Sequence, residues 1–197
     1  MKKQSIKLTA TIASLLASAA ISPVLAEDHA EHSKDAMHDA AFAEITELIA
    51  VIRPTEGNSV TGSVLFEKTA TGVKITAKIG GFEPGTEHGF HIHELGDISA
   101  KDGTSAGGHY NPEGHDHGLP DASAKHAGDM GNLKADADGN AEITTTVSNI
   151  TLAGAMNPII GRGIVVHAMK DDGGQPTGNA GDRIAVGVIG ISKVATK

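Results

Sequence analysis

The chain of 197 residues contains no cysteine and no tryptophan, with one tyrosine and four phenylalanines. Without cysteine no disulfide can staple the fold, so stability must come from packing and from any metal the chain binds. With so few aromatics the core must be built from Val, Ile, Leu and Ala, and the 25 glycines supply turns. That composition suits a small β-protein better than a helical one. No basic cluster interrupts the formal charge of −8, which argues against nucleic acid or anionic lipid as a partner. Beyond the N-terminal stretch, no apolar run is long enough to span a membrane.

What is present begins with that stretch. Lys2, Lys3 and Lys7 precede an apolar segment through Ile12, Leu15, Leu16 and Ile21, closed by Val24-Leu25-Ala26. Thr9, Thr11, Ser14, Ser18 and Pro23 interrupt it, so it reads as a cleaved signal peptide over 1–26 rather than an anchor. The mature chain then starts near Glu27 and is exported, to a periplasm or the exterior, with no membrane attachment. Cleavage removes three lysines and no acid, taking the charge from −8 to −11. Residues 27–43 are polar and carry His29, His32, Met37 and His38. They form a flexible extension, or alternatively a weak metal-collecting arm, since imidazole and thioether both bind copper.

From residue 44 the pattern changes. Val73-Lys74-Ile75-Thr76-Ala77-Lys78-Ile79 alternates apolar and polar without fault, as a half-buried strand does. Strands are expected near 44–53, 60–67, 72–80, 86–94, 131–136, 140–148, 162–169 and 184–191. Thr71-Gly72, Gly80-Gly81, Asp138-Gly139 and Gly173-Gly174 supply turns between several of them. Eight short strands so spaced predict one all-β domain over 44–197, an antiparallel sandwich or flattened barrel. Two segments, 95–130 and 170–182, lack any strand or helix period. Loops as long as the first are usually functional or disordered.

Histidines decide which. Five of the eleven lie within 91–117. His91 and His93, at i and i+2, share one strand face, with Phe90 and Ile92 on the other. His167, on a distant strand, can complete a nitrogen-rich set with them. His109, His117, His126 and Asp129 on the loop can wrap a second ion with three nitrogens and one oxygen. An all-imidazole set suits copper, and three His with a carboxylate suit zinc. Neutral imidazoles need partners at both ring nitrogens, so a metal centre, binuclear by this spacing, explains the cluster better than chance.

The segments "GFHIHELGD", "TSAGGHYNP", "HAGDMGN", "GRGIVVH" and "TGNAGDRIAVGVIGI" resemble the copper/zinc superoxide dismutase family, in order and with close to family spacing, from about Ala43 to Ser192. The resemblance implies a Greek-key barrel with long metal-binding and electrostatic loops. It implies copper on His91, His93, His109 and His167, and zinc on His109, His117, His126 and Asp129, with His109 bridging both ions. His115 has no counterpart in the motif and competes with His117 by proximity. Asp171 matches the aspartate linking a copper histidine to a zinc histidine, with Asp172 as its competitor. Arg183 matches the arginine beside copper, where a permanent cation draws in a small anion. Loop 170–183 is expected to wall a channel to copper with Thr177 lining it, and Lys170 is a candidate to add to the positive field there.

The implied activity is disproportionation of superoxide to O2 and hydrogen peroxide by Cu(II)/Cu(I) cycling. His109 would exchange its copper bond for a proton, and zinc would be structural. A non-enzymatic copper or zinc storage protein on the same fold is the alternative. A homodimer is expected because Leu95, Ile160 and Ile191 match interface positions of dimeric relatives. One family feature cannot exist here. The usual disulfide positions fall on Gly103 and Val186, where a bridge would contribute roughly 4–5 kcal/mol in the chain-entropy treatment. Burial of Val186 is expected to recover part of that.

Overall fold

The computed structural model describes Phe42 and residues 44–154 and 156–194. The expected signal peptide, and the extension apart from Phe42, lie outside the described residues. Eight strands follow in chain order: β1 (Ile45–Pro54), β2 (Thr61–Thr69), β3 (Gly72–Gly80), β4 (Glu87–His93), β5 (Asp129–Lys134), β6 (Asn140–Val147), β7 (Gly163–His167) and β8 (Arg183–Val194). A single 3-10 turn, Thr104–Ala106, interrupts the long loop.

The strands form one antiparallel sheet in the order β5-β4-β7-β8-β1-β2-β3-β6. β5 and β6 stand at opposite ends of that order, yet a tight turn joins them, with Asp136 N–H bonded to Asn140 C=O and Gly139 N–H to Asp136 C=O. The sheet therefore curls until its edges approach, giving the nearly closed all-β barrel expected from the strand spacing. Such closure removes exposed edges.

Alternation fixes which side chains face inward. In β3, Val73, Ile75, Ala77 and Ile79 are buried while the residues between them are not. They meet Leu48, Ala50 and Ile52 of β1 and Val64 and Phe66 of β2 in the main core. β4 and β7 differ, being buried on both faces. Phe90, Ile92, Ile164 and Val166 enter the core, and the opposite face lies beneath the two long loops. Several strand limits depart from the sequence pattern, and pairing explains two of them. β5 begins at Asp129 because that residue pairs with His91 across a bulge. β8 continues to Val194 because β1 pairs with it as far as Ile45.

Candidate metal centre

The outward face of β4 carries His91 and His93, and β7 ends at His167, so one strand pair positions three imidazoles. His109 is brought to them by the long loop. His93 and His109 form an isolated bridge, and Tyr110 exchanges main-chain bonds with Ile92 and Gly128. His117 and His126 follow on that loop, and Asp129 opens β5. Two groups of ligand atoms result: His91, His93, His109 and His167, and His109, His117, His126 and Asp129. Within each group the atoms lie within 4.8 Å of one another, every residue is buried, and His109 belongs to both.

Hydrogen bonds orient each ring. His91 Nε2 donates to Asp171 Oδ2 at 2.8 Å, and His117 Nε2 to Asp171 Oδ1 at 2.9 Å. His93 Nδ1 donates to Gly107 C=O at 2.9 Å and His167 Nδ1 to Gly181 C=O at 3.1 Å. A neutral imidazole has one N–H, so each remaining nitrogen presents a lone pair. Those lone pairs face one another or face carboxylate. His93 Nε2 and His167 Nε2 are 3.4 Å apart, and His117 Nδ1 sits 3.0 Å from Asp129 Oδ2. His91 Nδ1, His109 Nε2 and His117 Nδ1 are buried without a hydrogen bond. Converging acceptors with no donor between them are unfavourable unless a cation stands there. The donor sets therefore fit metal ions, and the outer bonds to Asp171, Gly107 and Gly181 are of the kind that orient metal-bound imidazoles.

Electrostatics agree with that reading. Burial pushes His91 down to about 4, although the bond to Asp171 acts in the other direction. Burial likewise pushes His93 down to about 2 and His167 to about 3. These rings are neutral, and so competent as ligands, at any ordinary pH. Burial alone would raise Asp129, but its bonds to His109 and the Gly118 N–H hold it at about 2. Burial acts on Asp171 the same way, and the bonds from His91 and His117 keep it well below the usual carboxylate range.

The competing residues lie elsewhere. His115 is exposed, with Nε2 3.3 Å from Glu113, outside both groups. Asp172 is exposed and accepts from Gly174 N–H and Asn179. Lys170 pairs with Glu87 at 2.6 Å, and Thr177 is exposed on the loop before β8. Arg183 is half-buried, and its guanidinium donates to Gly103 C=O and Gly107 C=O, both at 2.6 Å. Gly107 C=O thus serves His93 and Arg183 together. Gly103 and Val186 do face each other: a Cβ on Gly103 would lie 2.8 Å from Val186 Cγ1. Val186 packs there with Ala106, Val165 and Ile98.

Sequence reasoning missed two amides. Asn132 of β5 accepts from Asp171 N–H at 2.7 Å and donates to Asp171 C=O at 2.9 Å. Gln175 does the same for the main chain of His117. Nothing local marks either residue, because the partners are 39 and 58 positions away.

A family model for copper/zinc superoxide dismutase matches residues 60–189. The superoxide dismutase [Cu-Zn] of Paramecium bursaria Chlorella virus 1 is 46% identical over 157 residues, covering 76% of this chain and 82% of that protein. An antiparallel barrel bearing two adjoining histidine sets agrees with both matches, and the chain belongs to the copper/zinc superoxide dismutase family.

Proposed function

We propose that this chain is an exported superoxide dismutase that binds copper through His91, His93, His109 and His167, and zinc through His109, His117, His126 and Asp129. The observation that carries this reading is His109. It is one buried ring whose Nδ1 lies 2.8 Å from Asp129 Oδ1, and its Nε2 is buried with no hydrogen-bond partner. Copper held by those residues would supply a one-electron couple for superoxide disproportionation, and zinc would be structural.

The protein's own residues do the rest. His109 Nε2, free of any hydrogen bond, can hold one proton and pass it to the product peroxide, whose second proton comes from water. The other edge of the ring faces the second set, with Nδ1 2.8 Å from Asp129 Oδ1 and 3.4 Å from His126 Nδ1. Asp171, bonded to both His91 and His117, ties the two sets together. Arg183 remains charged at any working pH and attracts the anionic substrate. Its bonds to Gly103 and Gly107 fix where that charge sits.

The exposed apolar side chains of Val51 (56% exposed), Leu95 (51%) and Ile191 (55%) support a homodimer. The lysine-led apolar N-terminus supports export with cleavage before Glu27.

Metal analysis of the purified mature protein beside a superoxide disproportionation assay tests the proposal. One copper and one zinc per chain with activity are expected. His91→Ala should abolish activity, and Arg183→Ala should lower the rate with metal content kept. Metal bound without disproportionation would leave a storage protein instead. Sedimentation and N-terminal sequencing check the dimer and the cleavage site.

A further inference from the structure

We infer that Gln175 is a positioning residue for the His109, His117, His126 and Asp129 set, acting through the main chain of His117. This rests on the reading of that set as a zinc site. Gln175 Oε1 accepts the His117 N–H at 3.1 Å, and Gln175 Nε2 donates to the His117 C=O at 2.8 Å. Neither His117 group has a main-chain partner among the described residues. Both would otherwise be polar groups of a buried residue left to the loop. A side-chain amide offers one acceptor and two donors, so this pair of bonds also fixes which way the amide faces.

The same loop holds His117 by its side chain. Asp171 Oδ1 takes Nε2, and with Gln175 on the main chain only Nδ1 is left, aimed at Asp129 Oδ2 3.0 Å away. Asn132 clasps the Asp171 main chain in the same two-bond manner. A continuous path therefore runs from β5 through Asn132, Asp171 and His117 to Gln175. Gly178, at φ +80°, lies so close that a Cβ there would stand 2.1 Å from Asp171 Oδ1 and 2.8 Å from His117 Nε2. The loop also supplies Gly181 C=O to His167 Nδ1. Gln175 thus couples the segment that orients one set to a ligand of the other.

The test compares Gln175→Ala and Gln175→Met in the full mature protein, the second keeping the length of the side chain without its hydrogen bonds. Two readouts are zinc release to a colorimetric chelator and the visible spectrum after cobalt replaces zinc. Loss of a bond to the ring of a metal-bound histidine typically costs about ten- to a hundredfold in metal affinity, and the lower end of that range is expected for this clasp of the main chain. Both variants should release zinc at least about tenfold faster and show altered cobalt bands, with the metal-free melting temperature close to that of the parent. Release rates and cobalt spectra equal to the parent's in both variants would overturn the inference. If His117→Ala keeps full zinc stoichiometry, the site reading beneath it falls instead.

Discussion

The two faces of β4 rest on opposite chemistry. Inward, Phe90 and Ile92 are fully buried among aliphatic side chains and need nothing from outside the polypeptide. Outward, His91 and His93 are as deeply buried, yet lone pairs converge around them with no donor to receive them. Packing therefore stabilises the barrel by itself, whereas the loop face is complete only with cations bound. The largest test of that contrast is metal removal. Each tenfold excess of free metal over its dissociation constant stabilises the folded chain by about 1.4 kcal/mol. Chelation should lower the melting temperature more than any single core truncation. New protease cleavage should fall within 95–128 and 168–182. An unchanged melting temperature would mean the loops are ordered by the polypeptide alone.

Acid attacks the same face next. In the metal-free protein burial holds His91, His93 and His167 at about 4, 2 and 3. The unfolded chain takes up protons near 6.5 while the folded one does not. Stability is therefore present in full above pH 6.5 and declines as pH falls toward 4, by on the order of 1 kcal/mol per unit for each ring. Asp129, held at about 2, adds to the decline below its ordinary value of 3.8. Melting temperatures of the metal-free protein between pH 8 and 4 measure this. A flat profile would show that the rings are hydrated rather than buried.

The inward face breaks differently. Phe90→Ala should cost about 3–5 kcal/mol, with or without metal, because a large cavity opens in the core. His93→Ala should cost the metal-free protein less, since Gly107 C=O keeps its bond from Arg183. Denaturant unfolding of both variants, each with and without metal, separates the two. Equal losses in the metal-free state would erase the distinction between the faces.

Legibility in the sequence divides along the same line. The inward face follows from period-two alternation, a local pattern, so β3 is found at its expected 72–80. The histidines were visible because imidazole is scarce and its clustering is conspicuous even across a loop with no period. Their orientation was not visible. It depends on carbonyls at Gly107 and Gly181 and on amides at Asn132 and Gln175, which act through main-chain contacts with no local sequence pattern. Arg183 was legible as a cation, but its bonds to Gly103 and Gly107 span about 80 positions and leave no such trace. Strand ends depart from the local pattern where pairing decides, as at Val194 opposite Ile45.

Gly103 and Val186 mark where the two kinds of region join. Thr55, just after β1, and Arg183, at the start of β8, both border Gly103, whose left-handed backbone (φ +76°) begins the 3-10 turn. With cysteine absent, the junction is held by Val186 against Ala106, Val165 and Ile98, and by Arg183 on the Gly103 carbonyl. Val186→Ala removes two buried methyl groups and should cost about 1–2 kcal/mol, the smallest of these effects. Because the apolar cluster around Val186 contains none of the histidines, the metal-loaded and metal-free proteins should lose similar amounts, and reductant should change neither. A loss confined to the metal-loaded protein would instead mean that the apolar junction transmits the state of the centre, and that the barrel and its loop face are not independent.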